Sequence, residues 1–120
     1  MGKAADVVKR YYEAFDSKGK GWHELVTDDV RMEGPMQRAS GAKEFIALTE
    51  QFLQFHKGTK LHKRFEDGDN VCSIYTFTLN TPAGSTMSCD VVEWAKVSGS
   101  KVAEFKLYYD PREYAKAFGM

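Results

Sequence analysis

The stretch Asn70–Val97, read as NVCSIYTFTLN, TPAG and STMSCDVVEWAKV, decides the fold. The first segment is rich in aromatic and β-branched residues and predicts a strand. TPAG predicts a turn, and the third segment predicts a second long strand, so the pair forms an antiparallel hairpin. Upstream, TKLHKRFED (59–67) predicts a strand that leaves through the turn DGDN. Downstream, the turn SGS leads into KVAEFKLYY (101–109). Four consecutive strands therefore form a meander.

The N-terminal half has a different periodicity. In AADVVKRYYEAFDSKG, Val7, Val8, Tyr11, Tyr12 and Phe15 recur at helical spacing. KGWHELVTDD predicts a short second helix. DVRMEGP predicts a short strand that stops at Gly34-Pro35, followed by MQRAS as a loop with Ser40 as helix cap. AKEFIALTEQFLQFHK predicts the longest helix, with Phe45, Leu48, Phe52 and Phe55 on one stripe. His56 would end it, where a protonated imidazole suits the helix C-terminus. At the chain's end Asp110, Pro111 and Glu113 spell a capped short helix, with Tyr109 and Tyr114 as a staple and Gly119 as its stop. Helices segregated onto one face of an antiparallel sheet make an α+β fold. A curved sheet wrapped around three N-terminal helices leaves a cone whose open mouth suits a ligand.

Composition fits one domain over residues 1–120, with 42% hydrophobic and 13% aromatic residues to build its core. Seventeen basic residues balance 17 acidic ones, which gives no electrostatic footprint for nucleic acid. No apolar run is long enough to cross a membrane, and the charged N-terminus is unlike a signal peptide. Cys72 and Cys89 have no metal-type spacing, and neither do the three histidines. The expectation is a cytoplasmic protein with free thiols and no metal or cofactor.

Alternation along the strands predicts the sheet's two faces. The larger apolar sets are assigned inward: Tyr75, Phe77 and Leu79 on the second meander strand, Val92 and Trp94 on the third, Phe105 and Leu107 on the fourth. Ser88 and Asp90 share the parity of Val92 and Trp94, so both are expected inside. Cys72 and Cys89 are expected outside, with Ile74, Val91 and Tyr108. That semi-apolar outer face predicts a homodimer through the sheet. An aspartate on an apolar face needs a reason, either a place in the pocket or a structural bond to Tyr11 or a backbone group.

Four phrases, VVKRYYEAF, TDDVRMEGP, SGAKEF and KVAEFKLYYDP, resemble the nuclear-transport-factor-2-like superfamily, which includes ketosteroid isomerase and the SnoaL-like polyketide cyclases. The resemblance covers nearly the whole chain. It implies that Tyr11, in the RY of the first helix, matches an oxyanion-hole tyrosine. It also implies that Asp90 matches that site's second donor, a protonated acid held neutral by an apolar setting. The matching general-base position is Gly34, so the neighbouring Glu33 is the candidate base, provided a bulge turns it inward. The cyclases' acid/base pair has no counterpart, because Phe105 and Leu107 occupy those positions. The limonene-epoxide-hydrolase set has none either, because no second acid and no arginine is assigned inward.

The expected ligand is an apolar small molecule with a carbonyl or phenol oxygen. Tyr75, Ser88, Phe77, Val92, Trp94, Phe105, Leu107, Met32 and Phe52 would line its site. Three functions compete: an isomerase or cyclase that stabilises an enolate, a non-catalytic binding module with the same pocket, and a dimerising domain whose interior is filled by Trp94, Phe105 and Phe52.

Overall fold

A computed structural model describes residues 2–119. Its elements run α1 (Lys3–Asp16), a 3-10 turn (Gly21–Leu25), β1 (Val26–Glu33), β2 (Arg38–Ser40), α2 (Ala42–Leu53), β3 (His56–Asp67), β4 (Asn70–Asn80), β5 (Thr86–Ser98), β6 (Lys101–Tyr108) and α3 (Arg112–Ala117). The six strands form one sheet in the order β2-β1-β6-β5-β4-β3. Every neighbouring pair is antiparallel except β1 and β6, which run parallel. The fold is α+β, with the helices on the sheet's inner face.

Burial drives the assembly. α1 presents Ala4, Val8, Tyr11 and Phe15 along one stripe, with Ala5, Val7 and Tyr12 beside it, and all seven are buried. The Tyr11 ring packs on Phe105 at 5.1 Å, and Phe105 stacks on Phe45 of α2 at 5.2 Å. Helices and sheet therefore share one aromatic core. The start of α1 is held from the sheet: Glu66 of β3 accepts the backbone N–H of Gly2 at 3.0 Å and of Ala5 at 2.8 Å. A carboxylate there satisfies orphan donors and complements the helix dipole.

Several local expectations change. MQRAS, expected as a loop, contains β2, which pairs Arg38 with Glu33. Gly41, at φ +90°, caps α2 in place of Ser40, whose backbone N–H is instead accepted by Glu44. The last helix is capped at Pro111. Asp110 accepts the Arg112 N–H at 3.1 Å, while Glu113 makes no capping bond. The Tyr109 and Tyr114 rings do meet, at 6.4 Å.

α2 stops at Leu53, so His56 opens β3 and does not end a helix. It is 4% exposed. Its Nδ1 faces Lys18 Nζ at 3.1 Å, and Lys18 also donates to the His56 carbonyl. Its Nε2 meets Thr59 Oγ1 at 2.7 Å, and Thr59 donates to Asp16 at 2.8 Å. This chain is complete only with a neutral ring that accepts at Nδ1 and donates at Nε2. Burial first, then the Lys18 charge, pulls the imidazole down to about 4, the reverse of the protonated role expected for it.

Candidate functional site

The face of β5 determines what the interior contains. Its buried residues are Val91, Glu93, Ala95 and Val97, while Ser88, Asp90, Val92 and Trp94 are exposed. The strand thus has the opposite phase to the one expected. Pairing explains it: β4 meets β5 as Ser73↔Glu93, Tyr75↔Val91 and Phe77↔Cys89. Directly opposed residues share a face, so β5's odd-numbered residues join the inward row of β4.

Asp90 therefore lies on the outer face. It accepts a 2.6 Å bond from Thr76 Oγ1, which also meets His62 Nε2 at 2.6 Å. This polar row crosses three strands in water, where an aspartate carries no burial penalty. Trp94 is 44% exposed, bonded through Nε1 to Asn70 at 2.9 Å and overlaid by Lys106 Nζ at 5.3 Å. Ser88 and Val92 also leave the lining set, and Cys89, expected outside, joins it. Glu33 is exposed and ion-paired with Arg38 at 3.0 Å. Its partner on β6 is Lys106, while Met32 pairs with Phe105, so no bulge brings Glu33 inside.

An apolar cavity of about 260 Å³ lies between α1, α2 and the sheet. Of the expected lining residues, Met32, Phe52, Phe77, Phe105 and Leu107 border it, as does Tyr11, the expected oxyanion donor. Tyr75 is buried just behind, bonded to the acid that forms part of the lining. The remaining lining comes from residues not expected in the site, including Tyr12, Gln37, Tyr109 and Phe118.

Glu93 is the group the sequence reading missed. Only 1% exposed, it borders the cavity. Tyr12 donates a very short hydrogen bond to its Oε2, and Tyr75 donates to Oε1 at 3.3 Å. The Tyr75 hydroxyl accepts in turn from Arg64 Nη2 at 3.3 Å, and Arg64 Nε donates to Ser73 at 2.9 Å. The inward acid is therefore Glu93 in place of Asp90, and an arginine, half-buried, stands on the inner face behind it. Burial pushes the Glu93 carboxyl up to about 7, against the opposing pull of both hydroxyls and Arg64. Near neutral pH the acid is then present in both forms. Once it is protonated, both tyrosines can still donate to its oxygens, and the new O–H is free for the cavity. Tyr11 is 2% exposed, borders the same space and makes no side-chain hydrogen bond among the described residues.

At the mouth, Tyr109 donates to Gln37 at 2.6 Å. Tyr114 and Phe118 of the α3 segment stack at 4.7 Å, and Phe118 meets Phe55 at 5.0 Å. Gly34, the position matched to a general base, lies close by. A Cβ added there would come 3.4 Å from the Leu107 Cβ, on the cavity side of the sheet.

This architecture is that of the nuclear-transport-factor-2-like proteins. A family model for the SnoaL-like domain matches residues 8–105, and the chain belongs to that family. Among solved structures, an NTF2-like protein of unknown function from Burkholderia pseudomallei is similar at TM-score 0.86 and 18% identity, each chain covered completely. One from Cytophaga hutchinsonii is similar at TM-score 0.81 and 21% identity, over 95% of this chain and 96% of the other. TerC, co-crystallised with polyporic acid, is similar at TM-score 0.84 and 15% identity, over 99% of this chain and all of the other. No curated protein matches the sequence.

Proposed function

We propose that the cavity binds an apolar small molecule through a carbonyl or phenol oxygen, held between the Tyr11 hydroxyl and the protonated carboxyl of Glu93. The observation that carries this reading is a fully buried acid, poised near neutrality, on the wall of an aromatic cavity beside a tyrosine hydroxyl that has no hydrogen-bond partner among the described residues. Two donors in a water-poor site favour an oxygen that carries or develops negative charge. The pair Tyr11 and Glu93 takes the place that the family resemblance implies for Tyr11 and Asp90. With Gly34 at the base position, the pocket supports stabilisation of an enolate or phenolate more directly than abstraction of a proton from carbon.

The test is binding of a fluorescent naphthol. Affinity is expected to fall as pH rises through about 7, because the ionised acid no longer donates. Tyr11→Phe is expected to weaken binding about fivefold, the loss of one hydrogen bond to the neutral naphthol oxygen. PH-independent binding, equal in Tyr11→Phe, would place the ligand elsewhere. A second variant probes catalysis: Gly34→Asp would add a carboxyl at the cavity rim, and a gain in isomerisation of an enolisable ketone is expected. A folded Gly34→Asp protein without that gain would favour a binding role alone.

A homodimer through the outer sheet face is supported by two adjacent rows of that face, Phe65–Cys72–Trp94 and Ile74–Val92–Tyr108. Four of these side chains, Phe65, Val92, Trp94 and Tyr108, are exposed. Sedimentation of wild type is expected to give a dimer and of Trp94→Glu a monomer. A monomeric wild type would end that reading.

A further inference from the structure

We propose that Arg64 is a positioning residue for Glu93, acting through the Tyr75 hydroxyl to set the pH at which the cavity wall gains its proton. The placement of Arg64 is itself informative. β3 is an edge strand, and its register against β4 shifts between Leu61↔Tyr75 and Lys63↔Ile74. One extra residue reverses which parity faces inward. Without that shift Arg64 would join the outer face. With it, Arg64, Ser73 and Glu93 form one inward row across β3, β4 and β5.

The bonds then run in one direction. The guanidinium only donates, so the Tyr75 oxygen accepts from Arg64 and its proton is aimed at Glu93. Ser73 fixes the guanidinium from its Nε side. The groups that bear on Glu93 are Tyr11 and Tyr12 from α1, Tyr75 from β4 and Arg64 from β3. β6 opposes it with Leu107, and α2 brings no charged side chain to the cavity lining. Arg64 is thus the cation of this network, and its half-buried place on an edge strand makes its truncation structurally mild.

The inference rests on Glu93 as the pocket's titrating acid, and it is tested without a ligand. Carbon-13 NMR of δ-carboxyl-labelled glutamate, assigned with Glu93→Gln, gives the midpoint of Glu93 directly. Arg64→Met is expected to raise that midpoint by about one unit, a tenfold change in protonation. Arg64→Gln, which keeps a donor for Ser73 but no charge, is expected to raise it similarly. Tyr75→Phe is expected to raise it too, and Arg64→Met added to Tyr75→Phe is expected to raise it less than Arg64→Met does alone, since only the direct pull of the guanidinium charge is then left to remove. An unchanged midpoint in both Arg64 variants, or full additivity with Tyr75→Phe, would overturn the proposal. Naphthol titrations on the same proteins separate the two ideas: a shifted Glu93 midpoint without naphthol binding removes the ligand reading alone, and binding without a shift removes the role of Arg64 alone.

Discussion

Glu93 and His56 are both buried titratable side chains, and folding moves them in opposite directions. Glu93 goes from its ordinary 4.5 up to about 7. The folded chain therefore holds more protons there than the unfolded chain, and stability is lost as pH rises across that window. His56 goes from 6.5 down to about 4, so its contribution is lost as pH falls across nearly the same window. Each slope approaches about 1.4 kcal/mol per pH unit at most, and the two oppose each other. Wild type is expected to show a nearly flat melting temperature between about pH 4.5 and 6.5. Glu93→Gln is expected to unmask a profile that rises with pH, and His56→Gln one that falls. Parallel profiles for wild type and both variants would show that these groups do not titrate as described.

At the scale of the element, β4 and β6 could be read from sequence and β5 could not. Tyr75, Phe77 and Leu79 leave only Ile74 as a large apolar rival of the other parity; on β6 Phe105 and Leu107 stand against Tyr108, with Val102, buried across a register shift, as the even-numbered exception. On β5 both parities are apolar: Val92 and Trp94 compete with Val91, Ala95 and Val97. Side-chain size favoured the wrong set. The phase is fixed instead by the connection to β4, where Asn80 pairs with Thr86 across Thr81–Ser85. Thr81 and Ser85 close that loop through a 2.8 Å hydroxyl contact and a 2.9 Å backbone bond. A turn read as TPAG alone is one residue shorter, and one residue exchanges the faces. The register shift between Leu61 and Lys63 of β3 has no glycine or proline to announce it, so Arg64 was equally hidden. α1 was legible from its stripe, but its anchor was not, because Glu66 lies 61 residues from Ala5. Glu66→Ala is expected to cost about 1–2 kcal/mol in denaturant unfolding, the range for a lost helix cap. Gly2→Ala is expected to push the Glu66 carboxylate aside, since an added Cβ would lie 2.3 Å from its Oε1, and so to lose the same two bonds. Unchanged midpoints in both variants would contradict the anchoring.

The molecule as a whole divides its chemistry between the two faces of one sheet. The inner face holds an aromatic cavity with its acid, its free hydroxyl and the arginine-tyrosine pair behind them. The outer face holds the exposed apolar rows and the His62–Thr76–Asp90 row. No helix of the described residues is long and apolar enough to cross a membrane. Fold class and the aromatic interior followed from periodicity, whereas the identity of the buried acid depended on a pairing that only three dimensions reveal. The most direct measurement is naphthol affinity against pH for wild type, Glu93→Gln and Asp90→Asn. The prediction is that Asp90→Asn follows the wild-type curve, while Glu93→Gln, whose amide donates at every pH, binds without pH dependence between about 5 and 8. Loss of binding in Asp90→Asn with a wild-type curve in Glu93→Gln would contradict the account.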